Sequence, residues 1–137
     1  EQDIGSVRLD GQLVLLVDDD AQVAESIAAF LERLGAEVSI CLHPDEALEA
    51  IEEDPGLWFF LVTDYNMPGQ NGGQLARAAK TADGDLPIVI VTALARKLSD
   101  PNLTEDVISA LLGKPVDLNT LAHLIAQHGR INSAESA

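Results

Sequence analysis

Leu57-Trp58-Phe59-Phe60-Leu61-Val62-Thr63-Asp64 decides the fold. Aromatic and branched side chains follow one another, and the run stops on a carboxylate. Such a run reads as a strand buried on both faces, the kind found inside a parallel sheet. Tyr65-Asn66-Met67-Pro68-Gly69 comes next, and Pro68 with Gly69 forces a turn. Asp64 therefore stands at the carboxyl end of a central strand. That is the edge at which open α/β sheets bind ligands.

Upstream, Gln12 to Val17 is a second apolar strand, and it ends on Asp18-Asp19-Asp20. The helix after it places Val23, Ile27, Phe30, Leu31 and Leu34 on one face. Asp20 suits its N-cap and Gly35 its stop. Val38, Ile40 and Leu42 then alternate with Ser39 and Cys41, the pattern of a half-exposed strand at a sheet edge. Pro44 opens a second helix with Ala47, Leu48 and Ile51 inward. It ends near Asp54-Pro55-Gly56.

Downstream of the turn, an alanine-rich helix is expected over about Gln74 to Thr81. Leu86 to Thr92 is another continuous apolar strand, ending on a hydroxyl. Ala93 to Glu105 is expected to hold a further helix. Ser99-Asp100-Pro101-Asn102 interrupts it, so it should be short or distorted. Val107 to Leu112 reads as a fifth strand leading into Gly113-Lys114-Pro115. Asp117 caps a last helix with Leu118, Leu121, Leu124 and Ile125 inward. Strand and helix alternate throughout, which implies a parallel sheet covered by helices on both faces.

The chain has 137 residues and is 47% hydrophobic, enough for one domain with a true core. Residues 1–11 read as a linker, 12–128 as the domain and 129–137 as a flexible tail. The chain starts on Glu1 rather than Met, and further domains upstream are expected. No apolar run approaches the roughly 20 residues of a membrane helix, and no membrane contact is expected. The single Cys41 fits a reducing, cytoplasmic setting. A net charge of −15 argues against direct contact with nucleic acid, whose phosphates are gripped by Lys and Arg. His43, His123 and His128 lack the spacing of a zinc site. Gly72-Gly73 lacks a phosphate-loop pattern.

In a parallel sheet all strand tips share one edge. Asp18-Asp19, Asp64, Thr92 and Lys114 then converge there. An Asp after a strand is commonly a helix cap, and a Lys before a Pro is commonly surface. All of them on one edge is a stronger signal than any one alone.

The sequence resembles a response-regulator receiver domain of two-component signalling over roughly Gln12 to Gln127. The resemblance rests on Asp18-Asp19, on Asp64-Tyr65-Asn66-Met67-Pro68 with Gly72, on Thr92-Ala93 and on Lys114-Pro115, in that order. It implies a flavodoxin-like (βα)5 three-layer sandwich with a parallel sheet of order 2-1-3-4-5. It also implies that Asp64 accepts a phosphoryl group from a phosphohistidine. Asp19, Asp64 and the Asn66 carbonyl would hold Mg²⁺ directly, with Asp18 acting through water. Lys114 would pair with the transferred group and the Thr92 hydroxyl would hydrogen-bond it. The Lys114-Pro115 bond would be cis.

The chemistry is coherent. A carboxylate can attack phosphorus to form an acyl phosphate. Two carboxylates 4 Å apart repel by about 4 kcal/mol at an effective dielectric of 20. A divalent cation that prefers oxygen ligands relieves this repulsion.

The partners implied are a histidine kinase or phosphotransfer domain, and an effector protein or upstream domains of the same chain. The chain could thus be the last receiver of a hybrid histidine kinase. Two departures concern signal output. Leu111 stands three before the lysine, where the family commonly has an aromatic residue, and Val116 replaces the usual Phe. Two other readings compete. One is a phosphorylation-independent interaction module of the same shape. The other is a haloacid-dehalogenase-like phosphatase, for which Asp18 and Asp20 offer the spacing but Gln22 departs from the expected Thr or Val.

Overall fold

The computed structural model describes residues 7–93, 95 and 97–129. Five strands and four helices lie among them. The strands are β1 (Leu13–Val17), β2 (Glu37–Cys41), β3 (Phe60–Asp64), β4 (Ile88–Thr92) and β5 (Ala110–Gly113). The helices are α1 (Ala21–Arg33), α2 (Pro44–Glu53), α3 (Gly72–Ala82) and α4 (Leu118–His128). All strand pairs are parallel, in the order β2-β1-β3-β4-β5. This is the flavodoxin-like order expected above.

The apolar runs explain the layering. In β1 and β3 successive side chains point to opposite faces, so both faces need cover. Val14, Leu16, Phe60, Val62, Val89 and Val91 pack beneath Ala24, Ile27 and Leu31 of α1 and Leu121, Ala122 and Ile125 of α4. Leu15, Val17, Leu61, Ile88 and Ile90 pack beneath Ala47 and Ile51 of α2 and Leu75, Ala76 and Ala79 of α3. The alternating strand β2 lies at the edge, as its pattern predicted, with Ile40 exposed.

Two stretches differ from expectation. Val7 and Leu9, within the span read as linker, are buried in the core. The Leu9 amide donates to the Leu34 carbonyl at 2.8 Å and the Gly11 amide to that of Gly35 at 3.1 Å. This strap packs against the turn after α1.

The second is the connection from β4 to β5, where no helix forms among the described residues. Local bonds compete with the helical ladder here. Asp100 Oδ1 accepts from the Asn102 amide at 2.8 Å, and the Asp100 carbonyl accepts from Leu103 at 3.0 Å. Pro101 has no amide proton to donate. Thr104 closes a second isolated turn on Val107 and Ile108. Val107 is buried and caps the α2–α3 side of the core, with Leu103, Ile108 and Leu111 packed around it. The fifth strand consequently starts at Ala110, later than the Val107 expected.

No helix among the described residues is long and apolar enough to cross a membrane.

Candidate functional site

Parallel pairing brings the strand tips together. Val17 is level with Thr63, Asp64 with Val91, and Thr92 with Gly113. Asp18, Asp64, Thr92 and Lys114 therefore gather on one edge, as the sequence predicted. Asp18 and Asp64 are buried and Asp19 is exposed. Carboxylate oxygens from Asp18, Asp19 and Asp64 lie within 4.8 Å of one another. Among the described residues this is the only grouping of His, Cys, Asp or Glu able to hold a metal ion.

Lys114 Nζ stands 2.8 Å from Asp64 Oδ1. Its backbone fixes that reach, because the Lys114 amide donates to the Thr92 carbonyl at 3.0 Å. The Lys114-Pro115 bond is cis, as the resemblance implied. Thr92 is fully buried at the tip of β4. Asn66 is exposed on the turn just past Asp64.

The charges respond to this crowding. Burial pushes the Asp18 carboxyl above its ordinary value. A hydrogen bond from the Asp20 amide at 2.9 Å opposes that rise, and the Asp64 charge adds to it. For Lys114, burial works against the charge. The hydrogen bond to Asp64 and the charges of Asp64, Asp18 and Asp19 outweigh it and raise its pKa. An edge that crowds anions and strengthens a cation suits chemistry on a phosphoryl group.

The turn after Asp64 is held from several sides. The Tyr65 amide donates to the Val91 carbonyl at 2.9 Å, and its carbonyl accepts from Gly72 at 2.8 Å. Gly72 has to be glycine: a Cβ there would lie 2.6 Å from the Asp64 carbonyl oxygen. The Tyr65 hydroxyl donates to Asp100 Oδ2 at 2.6 Å. In the sequence nothing marks Tyr65 or Asp100 beyond their places in the turn and at the helix break. No periodic pattern links residues so far apart in the chain.

Beside the acceptor a cavity of about 560 Å³ opens between α1, the strand tips and the loop into α4. Val23, Ile27, Val62 and Val116 form much of its apolar wall, and Asp18, Asp64 and Lys114 meet it at the site. Of the three histidines, His43 and His128 are exposed at helix ends. His123 is half-buried, its Nδ1 2.7 Å from the Asn119 carbonyl.

Comparison with known proteins bears on this geometry. A family model described as the response regulator receiver domain matches residues 14–126. The response regulator receiver protein CpdR of Brucella abortus (strain 2308) is 31% identical over 112 residues, 82% of this chain and 92% of that protein. The phosphate regulon transcriptional regulatory protein PhoB of Pseudomonas aeruginosa is 35% identical over 89 residues, 61% of this chain but only 36% of PhoB. The crystal structure of the receiver domain from the hybrid histidine kinase CckA superposes with a TM-score of 0.70 at 28% identity, covering 85% of this chain and 97% of that one. A CheY-like receiver domain protein from Methanospirillum hungatei JF-1 gives 0.76 at 26% identity, covering 86% and 93%. The family match over most of the chain, with the parallel sheet order, shows that the chain belongs to the response regulator receiver domain family of two-component systems.

Proposed function

We propose that this domain accepts a phosphoryl group onto Asp64 from a phosphohistidine and changes conformation in consequence. The observation that carries the reading is the meeting of Asp18, Asp19 and Asp64 within 4.8 Å, with Lys114 Nζ 2.8 Å from the central carboxylate. In the reaction a carboxylate oxygen of Asp64 attacks phosphorus. The phosphorus–nitrogen bond of the donor breaks, and its electron pair stays on the imidazole.

The all-oxygen donor set of Asp18, Asp19 and Asp64 fits Mg²⁺, with the Asn66 carbonyl completing the protein ligands. When bound, the ion neutralises the crowded carboxylates and polarises phosphoryl oxygens. The chain's own groups do the rest. Lys114 starts on Asp64 and, after transfer, pairs with the new phosphoryl oxygens. In this reading the Thr92 hydroxyl hydrogen-bonds the same group. Both interactions favour the loaded state, so both can bias a conformational equilibrium.

The donor is a histidine kinase or a phosphotransfer domain, in a reducing, cytoplasmic setting that suits the lone Cys41. The likeness to the CckA receiver supports placement within a hybrid histidine kinase, and the upstream coding sequence tests that.

Acetyl phosphate with Mg²⁺ tests the acceptor. Intact mass should rise by one phosphoryl group, with chemical-shift changes around Asp64, Thr92 and Lys114, and Asp64→Asn should abolish the label. Label surviving in Asp64→Asn would make Asp18 the acceptor and favour the phosphatase-like alternative. An unlabelled wild-type chain would favour a phosphorylation-independent module.

A further inference from the structure

Asp100 lies in the connection that replaces a helix, yet it holds two parts of the site's frame together. Its Oδ2 accepts the Tyr65 hydroxyl at 2.6 Å, a length typical of a hydroxyl bound to an ionised carboxylate. The same oxygen sits against Gly73 so closely that any Cβ there would collide with it. Gly73 is in the first turn of α3, where a negative charge is favoured by the exposed amides. Oδ1 meanwhile accepts from Asn102, and the Asp100 carbonyl from Leu103. One carboxylate thus joins the turn after Asp64, the start of α3 and the 97–109 connection.

Tyr65 transmits that hold. Its backbone is clamped between Val91 and Gly72, and its neighbours in the chain are Asp64 and Asn66. Its half-buried ring packs against the same core as Met67, Leu103, Ile108 and Leu111. A shift of Asp100 cannot leave the Tyr65 hydroxyl in place without breaking the bond. A shift of the turn cannot leave the connection in place either.

We propose that Asp100 is a positioning residue for phosphoryl acceptance. Through the Tyr65 hydroxyl it sets the turn that follows Asp64 and carries Asn66, and it couples loading of Asp64 to the order of residues 97–109. The coupling is reciprocal by linkage. If the contact favours the loaded arrangement, loading strengthens the contact. The inference rests on the phosphoacceptor reading above.

The test compares the whole chain with Tyr65→Phe and Asp100→Asn. In the unloaded chain, Tyr65→Phe should speed amide exchange over 97–109 by about tenfold, the worth of one hydrogen bond to a charged group. Exchange in β1 and β4 should be unchanged. Addition of Mg²⁺ and beryllofluoride should slow exchange over 97–109 in the wild type and leave it unaltered in both variants. The Mg²⁺ concentration for half-maximal labelling by acetyl phosphate should rise about tenfold in both, with the full rate recovered at saturation. A merely structural loss would lower the rate at every Mg²⁺ concentration.

Unchanged exchange over 97–109 in unloaded Tyr65→Phe overturns the proposal. So does a full wild-type response to beryllofluoride in the variants. Failure of the acceptor reading looks different, because the wild type itself would then take no label.

Discussion

Gly72 has no room for a side chain. A Cβ would lie 2.6 Å from the Asp64 carbonyl oxygen and 2.9 Å from the Tyr65 Cα, both backbone atoms that cannot swing aside. Gly72→Ala should therefore cost about 1–3 kcal/mol in urea unfolding, the usual range for overpacking. It should also impair labelling, because the strain falls on the backbone next to the acceptor. Lys114 makes a different kind of contribution. Its ammonium is partly exposed, so solvent screens its pair with the buried Asp64. Lys114→Ala should lose about 1–2 kcal/mol without Mg²⁺, less than for a fully buried pair. Added Mg²⁺ should recover most of that loss, because a cation again faces the carboxylates. Urea titrations with and without the ion check both statements.

At the level of elements, α3 carries its own start signal. Asn71 accepts from the Gln74 amide at 2.9 Å, and the Gln74 side chain accepts from the Asn71 amide at 2.9 Å, a reciprocal capping box. Asn71→Ala should cost about 1 kcal/mol by the same unfolding measurement. The β4–β5 connection responds to acid instead. The hydrogen bond from Tyr65 holds the Asp100 carboxyl below its usual value of 3.8. A depressed carboxylate adds stability that is complete above the ordinary value and is lost as pH falls through the lowered one. The Asp100 carboxyl resonance should thus titrate below pH 3.8, and Tyr65→Phe should move its midpoint upward. These two elements also mark what sequence can and cannot say. The buried strands were legible because unbroken apolar runs such as Leu86 to Val91 are short and rich in β-branched residues, which suits a strand covered on both faces. The edge strand was legible from the alternation of Val38, Ile40 and Leu42. The tips carrying Asp18, Asp19, Asp64 and Lys114 followed from parallel pairing alone. Strand–helix alternation leads one to expect a short or distorted helix over Ala93 to Glu105, interrupted at Ser99-Asp100-Pro101-Asn102. The local bonds of Asp100 and Thr104 win there, and their strength depends on side-chain geometry that spacing does not encode. The Tyr65–Asp100 contact escaped for the same reason.

For the whole molecule, net charge is the dominant electrostatic fact. At −15 the folded chain repels itself, and compaction intensifies that repulsion. Raising ionic strength from about 0.01 to 0.15 M shortens the screening length from about 30 to 8 Å. Tm should rise over that range, and Mg²⁺ at millimolar levels should raise it further than sodium at equal ionic strength. The Asp18→Asn/Asp19→Asn double variant should show only the general salt effect. A calorimetric series in NaCl and MgCl₂ separates the two contributions. The strap from Val7 to Gly11 has a spatial consequence. It is fastened to Leu34 and Gly35, where α1 ends, while Gly129 at the end of α4 lies against Gln12, just ahead of β1. Both points are at the pole away from Asp64. A tether, fluorophore or surface anchor joined near Val7 or Gly129 would attach at that far pole, so the chain can be immobilised without covering the edge that carries Asp64.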